Sequence, residues 1–291
     1  MVLLSWTLDV PTLVVITAVG ALYVRCRRAA GVAVSRSQAA CFGVGLVVWV
    51  LATVSAVAVY APVLFWVRAL QVLLLLFVVP FLLALGRPLT ALRAGSQRGG
   101  RVVEAALQSR LMRVGCSAPA TSIAMLATPW LLYLTPWYVA SMTGALAALT
   151  RVALVVIGFG YFYARLQADP VPTRHSPLLS IGISVIEALA DGLLGVVLWL
   201  GPVIAVQYYA SLHRGWGPSQ RVDQSIGAGI LWILGDVVGI PFILVLMRAL
   251  GRHERVKAAR VDAGLAAAPD AGAAALWWQN DPVLRERFGL R

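Results

Sequence analysis

Apolar runs recur along the chain at roughly Val10 to Val24, Ala39 to Tyr60, Val63 to Leu85, Pro119 to Tyr138, Leu149 to Ala164, Leu178 to Val206 and Ile226 to Leu250. Each is long enough, or nearly so, for a helix to cross a hydrocarbon core about 30 Å thick. The pattern therefore predicts an all-α, polytopic membrane helix bundle of seven transmembrane helices. Between the third and fourth runs, Arg101 to Val114 reads RVVEAALQSRLMRV. Val102, Val103, Ala106, Leu107 and Leu111 can share one helical face with arginines around the rest, which predicts an amphipathic helix near 101–114 on the inner membrane surface. A helix that docks into a calmodulin-like partner would carry the same pattern. Residues 1–250 then form the seven-span domain and 251–291 a cytoplasmic tail. That tail is Ala-rich from Ala258 to Ala275, and Trp277 and Trp278 beside arginines suit contact with the headgroup layer or a partner protein.

Composition agrees with this reading. Of 291 residues, 60% are hydrophobic and 12% charged, too few polar side chains to cover a water-soluble globule of this size. A net charge of +12 would suggest nucleic acid in a soluble protein, so the placement of the cations decides. Of 24 Lys and Arg, the first, third and fifth connections carry 4, 6 and 2, and the tail from Arg248 carries 8. The positive-inside rule then puts the N-terminus outside and the C-terminus in the cytoplasm, with lipid rather than nucleic acid as the partner of the basic segments. Asp9 precedes the first run and arginines follow it, the reverse of a secretory signal, so that run reads as a retained span. Cys26, Cys41 and Cys116 lack CxxC spacing and read as small apolar residues.

Five charged residues fall within the runs: Arg68, Arg151, Glu187, Asp191 and Asp236. Each costs about 2.5 to 3.5 kcal/mol at a helix centre unless paired or hydrated. Glu187 and Asp191 are four residues apart, hence on one helical face, and Arg68 is the cation expected to intervene between them. Two readings stay open: a polar pocket or proton path, or buried arginines whose carboxylate partners fix helix register. The histidines, His175, His213 and His253, fall in loops or the tail, so no span offers paired imidazoles. Met125 and Met142 are isolated, and Walker A, GxSxG and HExxH patterns are absent. The chain is expected not to be an enzyme, and no catalytic, cofactor-binding or metal-binding residues are assigned.

The stretch FWVRALQVLLLLFVVPFLLALGRPLTALR, Phe65 to Arg93, resembles the central signature of the bacterial cytochrome c oxidase assembly factor family of the CtaG (caa3) type. A Gln-bearing span there leads to a Pro, an LG-x-P turn and a basic segment; Gln71, Pro80, Leu85, Gly86 and Pro88 fit. RVDQSIGAGILWILGDVV, Arg221 to Val238, is similar to the family's Asp-Gln before a last span with Trp and Gly-Asp, here Asp223, Gln224, Gly227, Trp232, Gly235 and Asp236. The start, and the WW-x-x-DP element at Trp277 to Pro282, also look like actinobacterial members.

The resemblance implies a non-enzymatic membrane assembly factor or scaffold for cytochrome c oxidase in a bacterial plasma membrane, linked to copper insertion. Its partners would be oxidase subunits or another assembly factor. Typical members carry histidines at positions matched here by Arg68, Val72, Leu134 and Arg151, so the chain is expected to lack a copper site of its own. The expected polar cluster is then Arg68, Gln71, Arg151, Glu187, Asp191 and Asp236, the arginines pairing with those acids or holding an anionic group. A small-solute or proton-coupled transporter using the intramembrane carboxylates is the alternative.

Overall fold

A computed structural model describes residues 6–172 and 177–267; within these, some side chains, those of Asp191 and Asp236 among them, lie outside the described set, as do Trp277 and Trp278 of the tail. The described residues are helical, without strands. Helix α1, Val10–Ala30, starts where Asp9 accepts the Thr12 N–H at 3.3 Å and a proline occupies the first turn. Helix α2, Arg36–Val54, opens on a capping box in which Ser35 and Gln38 satisfy each other's backbone N–H. It ends at Ser55, which caps the short α3, Ala56–Tyr60.

The third apolar run is α4, Phe65–Leu73, a π-helical turn, Leu74–Val78, and α5, Val79–Leu85. Pro80 accounts for the turn: it has no N–H to offer the Leu76 carbonyl and its ring crowds that carbonyl, so the helix widens and the Val79 N–H reaches back to Leu74. A basic connection follows as α6, Pro88–Gly95, α7, Gln97–Gln108, and α8, Arg110–Gly115. Helices α9, Ala118–Leu134, α10, Trp137–Ala140, α11, Gly144–Leu166, and α12, Pro177–Leu200, come next. After α13, Val206–Ser211, the last run is α14, Gln220–Gly229, a second π-helical turn, Ile230–Leu234, and α15, Gly235–Ala267.

Four stretches among the described residues, Val10–Ala29, Arg36–Tyr60, Phe65–Leu85 and Gly144–Leu166, are long and apolar enough to cross a membrane; Ala118–Leu134 is apolar but shorter. The chain is an all-helical membrane protein. Phe65–Leu85 is its hub: 72% of that stretch is buried, against 22% for Val10–Ala29 and 33% for Arg36–Tyr60. Small residues let neighbours reach it. Gly158 of α11 lies against the Leu76 carbonyl and the Pro80 ring, and Gly45 of α2 lies 3.1 Å from Leu82, measured from where a Cβ would stand. Gly227 of α14 lies against Phe65 and Trp66.

The helices depart from the hydrophobic pattern in three places. The fourth run breaks at Thr135 and Pro136. The amphipathic stretch is two helices, because Ser109 leaves helical geometry to cap α8; Val103 turns inward while Val102 and Leu111 are exposed. The last run begins at Gln220, before its apolar part. The chain divides into two compact units, Met1–Leu246 and Met247–Arg291. The described part of the second, to Ala267, is helical and exposes Val256 and Val261.

Candidate functional site

Most signature positions serve as helix junctions. At the C-terminal end of the hub, a side chain on Gly86 would stand 2.6 Å from Phe42 Cβ, and the Gly86 carbonyl accepts the Tyr23 hydroxyl at 2.8 Å. Tyr23 stacks on Phe42 with ring centroids 3.7 Å apart. Arg87 takes left-handed backbone geometry, φ 53°, which reverses the chain so that Pro88 opens α6. The orphan N–H groups of α6 go to Asp169, which accepts from Leu89 N at 3.0 Å and from Thr90 N and Oγ1 at 2.9 and 2.6 Å. Burial pushes the Asp169 carboxyl up, and its hydrogen bonds from Thr90 pull it back.

The N-terminal end of the hub is built the same way. Asp223, 1% exposed, accepts the N–H groups of Phe65 and Trp66, the first turn of α4, and pairs with Arg214 at 3.2 Å. Gln224 beside it donates to the Leu198 and Pro202 carbonyls at 2.7 and 3.0 Å and accepts the Ile204 N–H at 2.8 Å, closing the C-terminal end of α12. One dipeptide thus ties α14 to the starts and ends of two other helices. Trp232 fills the space over Gly192 and Gly195 of α12.

Of the charged residues expected to form one cluster, the described ones, Arg68, Arg151 and Glu187, have separate partners. Arg68, 2% exposed, donates to Gln71 Oε1 at 2.8 Å and Ser141 Oγ at 2.7 Å, with a longer contact of 3.4 Å to the Ser141 carbonyl. Gln71 in turn donates to the Ala52 carbonyl at 2.8 Å. The expected carboxylate partner of Arg68 is therefore replaced by neutral acceptors, Gln71 of its own helix α4 and Ser141 at the α10 end. Arg151 pairs with Asp9 at 2.8 Å, not with Glu187, Asp191 or Asp236, because it sits near the start of α11 beside the start of α1. Glu187 pairs with Arg165 at 3.0 Å and accepts the Tyr161 hydroxyl, while Arg165 also donates to Ser122. Asp191 and Asp236 lie in α12 and α15, their side chains outside the described set.

Arg165 reads in the sequence as a loop cation just beyond a span, yet its side chain is 0% exposed inside α11. Its position in the last turn of an apolar helix gave no sign of a partner on α12. Asp169 and Ser141 also lacked a signal, since both depend on residues far away in sequence. Among the described residues no three His, Cys, Asp or Glu side chains converge as metal ligands do. His213 accepts left-handed geometry and faces the Ser211 carbonyl at 2.8 Å.

The family model for the cytochrome c oxidase caa3 assembly factor (Caa3_CtaG) matches residues 19–253. The chain belongs to that family. As a Caa3_CtaG member it is 28% identical over 228 residues to an uncharacterized protein of Mycobacterium leprae, covering 75% of this chain and 35% of that one. It is 27% identical over 252 residues to uncharacterized proteins of Mycobacterium bovis and Mycobacterium tuberculosis, covering 80% of this chain and 38% of each. The chain thus spans little more than a third of the length of these relatives. No solved structure matches it. Of the positions where typical Caa3_CtaG members carry histidine, Arg68 and Val72 lie one turn apart in the buried hub, Arg151 pairs with Asp9, and Leu134 is 47% exposed. None of these four side chains has a lone pair suited to a metal.

Proposed function

We propose that the protein is a non-enzymatic membrane scaffold that assists the assembly of cytochrome c oxidase in a bacterial plasma membrane. The family match over residues 19–253 is the observation that carries this reading. The helix-joining roles of Gly86, Pro88, Asp223 and Gln224 support it, since they hold a shape rather than prepare a reaction. The proposed topology has seven crossings, the added three being α9, α12 and the run from α14 into α15, with the N-terminus outside and the Arg-rich connections and tail in the cytoplasm. Residues 1–250 form the transmembrane domain, with α7 and α8 on the inner membrane surface. The partners are oxidase subunits or another assembly factor.

Copper enters this proposal as cargo of the assembly process. The side chains at residues 68, 72, 134 and 151 do not fit a copper ligand set, so no copper site of the chain's own is assigned. The test is a deletion strain complemented with the intact gene. Loss of assembled oxidase with normal subunit synthesis, restored by the gene, supports the scaffold. Normal oxidase with altered uptake of a solute overturns it in favour of a transporter. Co-purification in mild detergent gives a second readout: oxidase subunits or another assembly factor in the eluate are expected, and stoichiometric copper would overturn the ligand argument.

A further inference from the structure

Three connecting stretches, residues 55–64, 135–143 and 201–219, are tied together at the N-terminal end of the hub. Tyr208 donates to the Pro62 carbonyl at 2.8 Å, Arg214 to the Val63 carbonyl at 3.3 Å, and the Tyr138 and Tyr209 hydroxyls bond at 2.7 Å. Two cavities border the short α13 among them. One, of about 560 Å³, lies against Val139 and residues 205–208 and is mostly apolar. The other, of about 540 Å³, lies against Tyr209 and the loop from Leu212 to Gln220, with His213 and Trp216 in its wall. Trp216 is 53% exposed yet held in place: its ring meets the Tyr60 ring edge-on at 5.9 Å and the Arg214 guanidinium at 5.7 Å. Arg214 is itself fixed by Asp223 and by the Val63 and Pro218 carbonyls. An aromatic ring presented in one orientation loses little entropy on being covered, which is why interfaces use such rings as anchors.

Charge at this end is one-sided. In these stretches and the first turn of α14, the histidine and charged residues are His213, Arg214, Arg221 and Asp223. Asp223, the acid among them, is 1% exposed and spent on Arg214 and two backbone N–H groups. Arg221 is exposed and bonds to the Trp199 and Gly201 carbonyls, neutral acceptors that leave its charge uncompensated.

We propose that the two cavities beside α13, with Trp216 and Arg221, are the docking face for an acidic, extended segment of the oxidase under assembly, exposed on the outer side of the membrane in the topology given above. The docking face rests on the scaffold reading and gives it a place and a chemistry. An apolar side chain of the segment fills the cavity at Val139 and Val206, and Trp216 packs on the chain that follows. Helix α13 has six residues and is about 9 Å long, so roughly three extended residues span the distance between the cavities. Carboxylates of the segment meet Arg221, the positive charge that no acid of this end balances, so attraction steers an acidic segment in and repulsion turns a basic one away. A belt of aromatic rings in the headgroup layer needs only rings at one depth. Two concavities along one short helix are a shape that the side chains of a partner fill.

The test uses the full chain in isolated membranes of the complemented deletion strain. Photo-reactive p-benzoylphenylalanine takes the place of Val206, of Trp216 or, as a control on a distant helix, of Leu111, which is 87% exposed. Antibodies to the oxidase subunits identify the adducts. Irradiation is expected to give an oxidase-subunit adduct from positions 206 and 216 and none from position 111. Arg221→Glu is expected to lower the yield from position 206 roughly tenfold, and raised salt to lower it in the chain that keeps Arg221. Adducts with lipid alone, or with a protein other than an oxidase subunit, would overturn the docking face, as would an equal oxidase adduct from position 111. A yield that neither Arg221→Glu nor salt changes would overturn the acidic chemistry, and should Arg221→Glu fail to accumulate, the salt series decides. The scaffold reading fails separately, by normal oxidase in the deletion strain. If oxidase is lost there and its subunits co-purify while positions 206 and 216 give no oxidase adduct, only the docking face falls.

Discussion

The carboxylate of Asp223 accepts the backbone N–H of Phe65 at 3.1 Å and of Trp66 at 3.0 Å across more than 150 residues of sequence. A helix leaves its first N–H groups unbonded, and near its N-terminus an anionic acceptor is favoured further by the helix dipole. The N-terminal end of the hub is thereby fastened to α14 by a charge-assisted cap, and Asp169 repeats the device at the start of α6.

Asp223→Ala is expected to lower stability by about 2 kcal/mol, at the upper end for loss of a cap, because the substitution also strips Arg214 of its partner. Asp223→Asn, which keeps one acceptor oxygen, is expected to lose roughly half as much. Thermal unfolding in one detergent checks the order, and equal losses for the two variants would contradict the cap.

Gly158 and Gly160 give an internal control on the hub. A Cβ at Gly158 would run into the Leu76 carbonyl and the Pro80 ring, whereas at Gly160 nothing lies within 4 Å. Gly160→Ala is expected to be neutral or to stabilise by up to about 1 kcal/mol through helix propensity. Gly158→Ala is expected to destabilise by about 1 to 3 kcal/mol, the usual penalty for overpacking. A tolerated Gly158→Ala would mean that the two helices are not so closely packed.

Arg165 and Glu187 form a buried pair, their side chains 0% and 7% exposed. Glu187→Gln is expected to cost roughly 3 to 5 kcal/mol, as it takes a buried carboxylate away from the guanidinium and from the Tyr161 hydroxyl. The double variant Arg165→Met with Glu187→Leu is expected to recover most of that loss. A double-mutant cycle by unfolding measures the coupling, and additive losses would deny the pair.

Arg151 and Asp9 are 16% and 7% exposed at the side chain, so solvent weakens their attraction. Arg151→Gln is expected to lose only about 1 kcal/mol. Asp9→Asn should lose a similar amount, since Asn still caps α1 through Thr12. A loss as large as that for Glu187→Gln would show that the environment is drier than the exposure indicates.

Much of this was readable before any coordinates. Seven apolar runs set helices, and the LG-x-P turn at Gly86 and Pro88 marked where the hub would end. Asp223 and Gln224 stood out only as members of a pattern; that one caps α4 and the other closes α12 depends on which helices lie beside α14. Among the described residues, the intramembrane charges found partners other than the expected ones. Depth estimated along each helix says how far a residue lies from the membrane surface, but not toward which neighbour it turns. Arg68 and Glu187 were therefore matched by sign alone, while the packing gave Glu187 to Arg165 and left Arg68 to Gln71 and Ser141.

The sequence by itself determined that the chain is helical and membrane-embedded, because apolar side chains in runs of that length have no other stable setting and backbone groups in lipid must bond within their own segment. It also carried the family signature. Only the tertiary structure decided which cation meets which anion and which stays alone. Ion pairing acts over a few ångströms between side chains from distant segments, and the close approach that allows it is set by glycines, prolines and caps acting together.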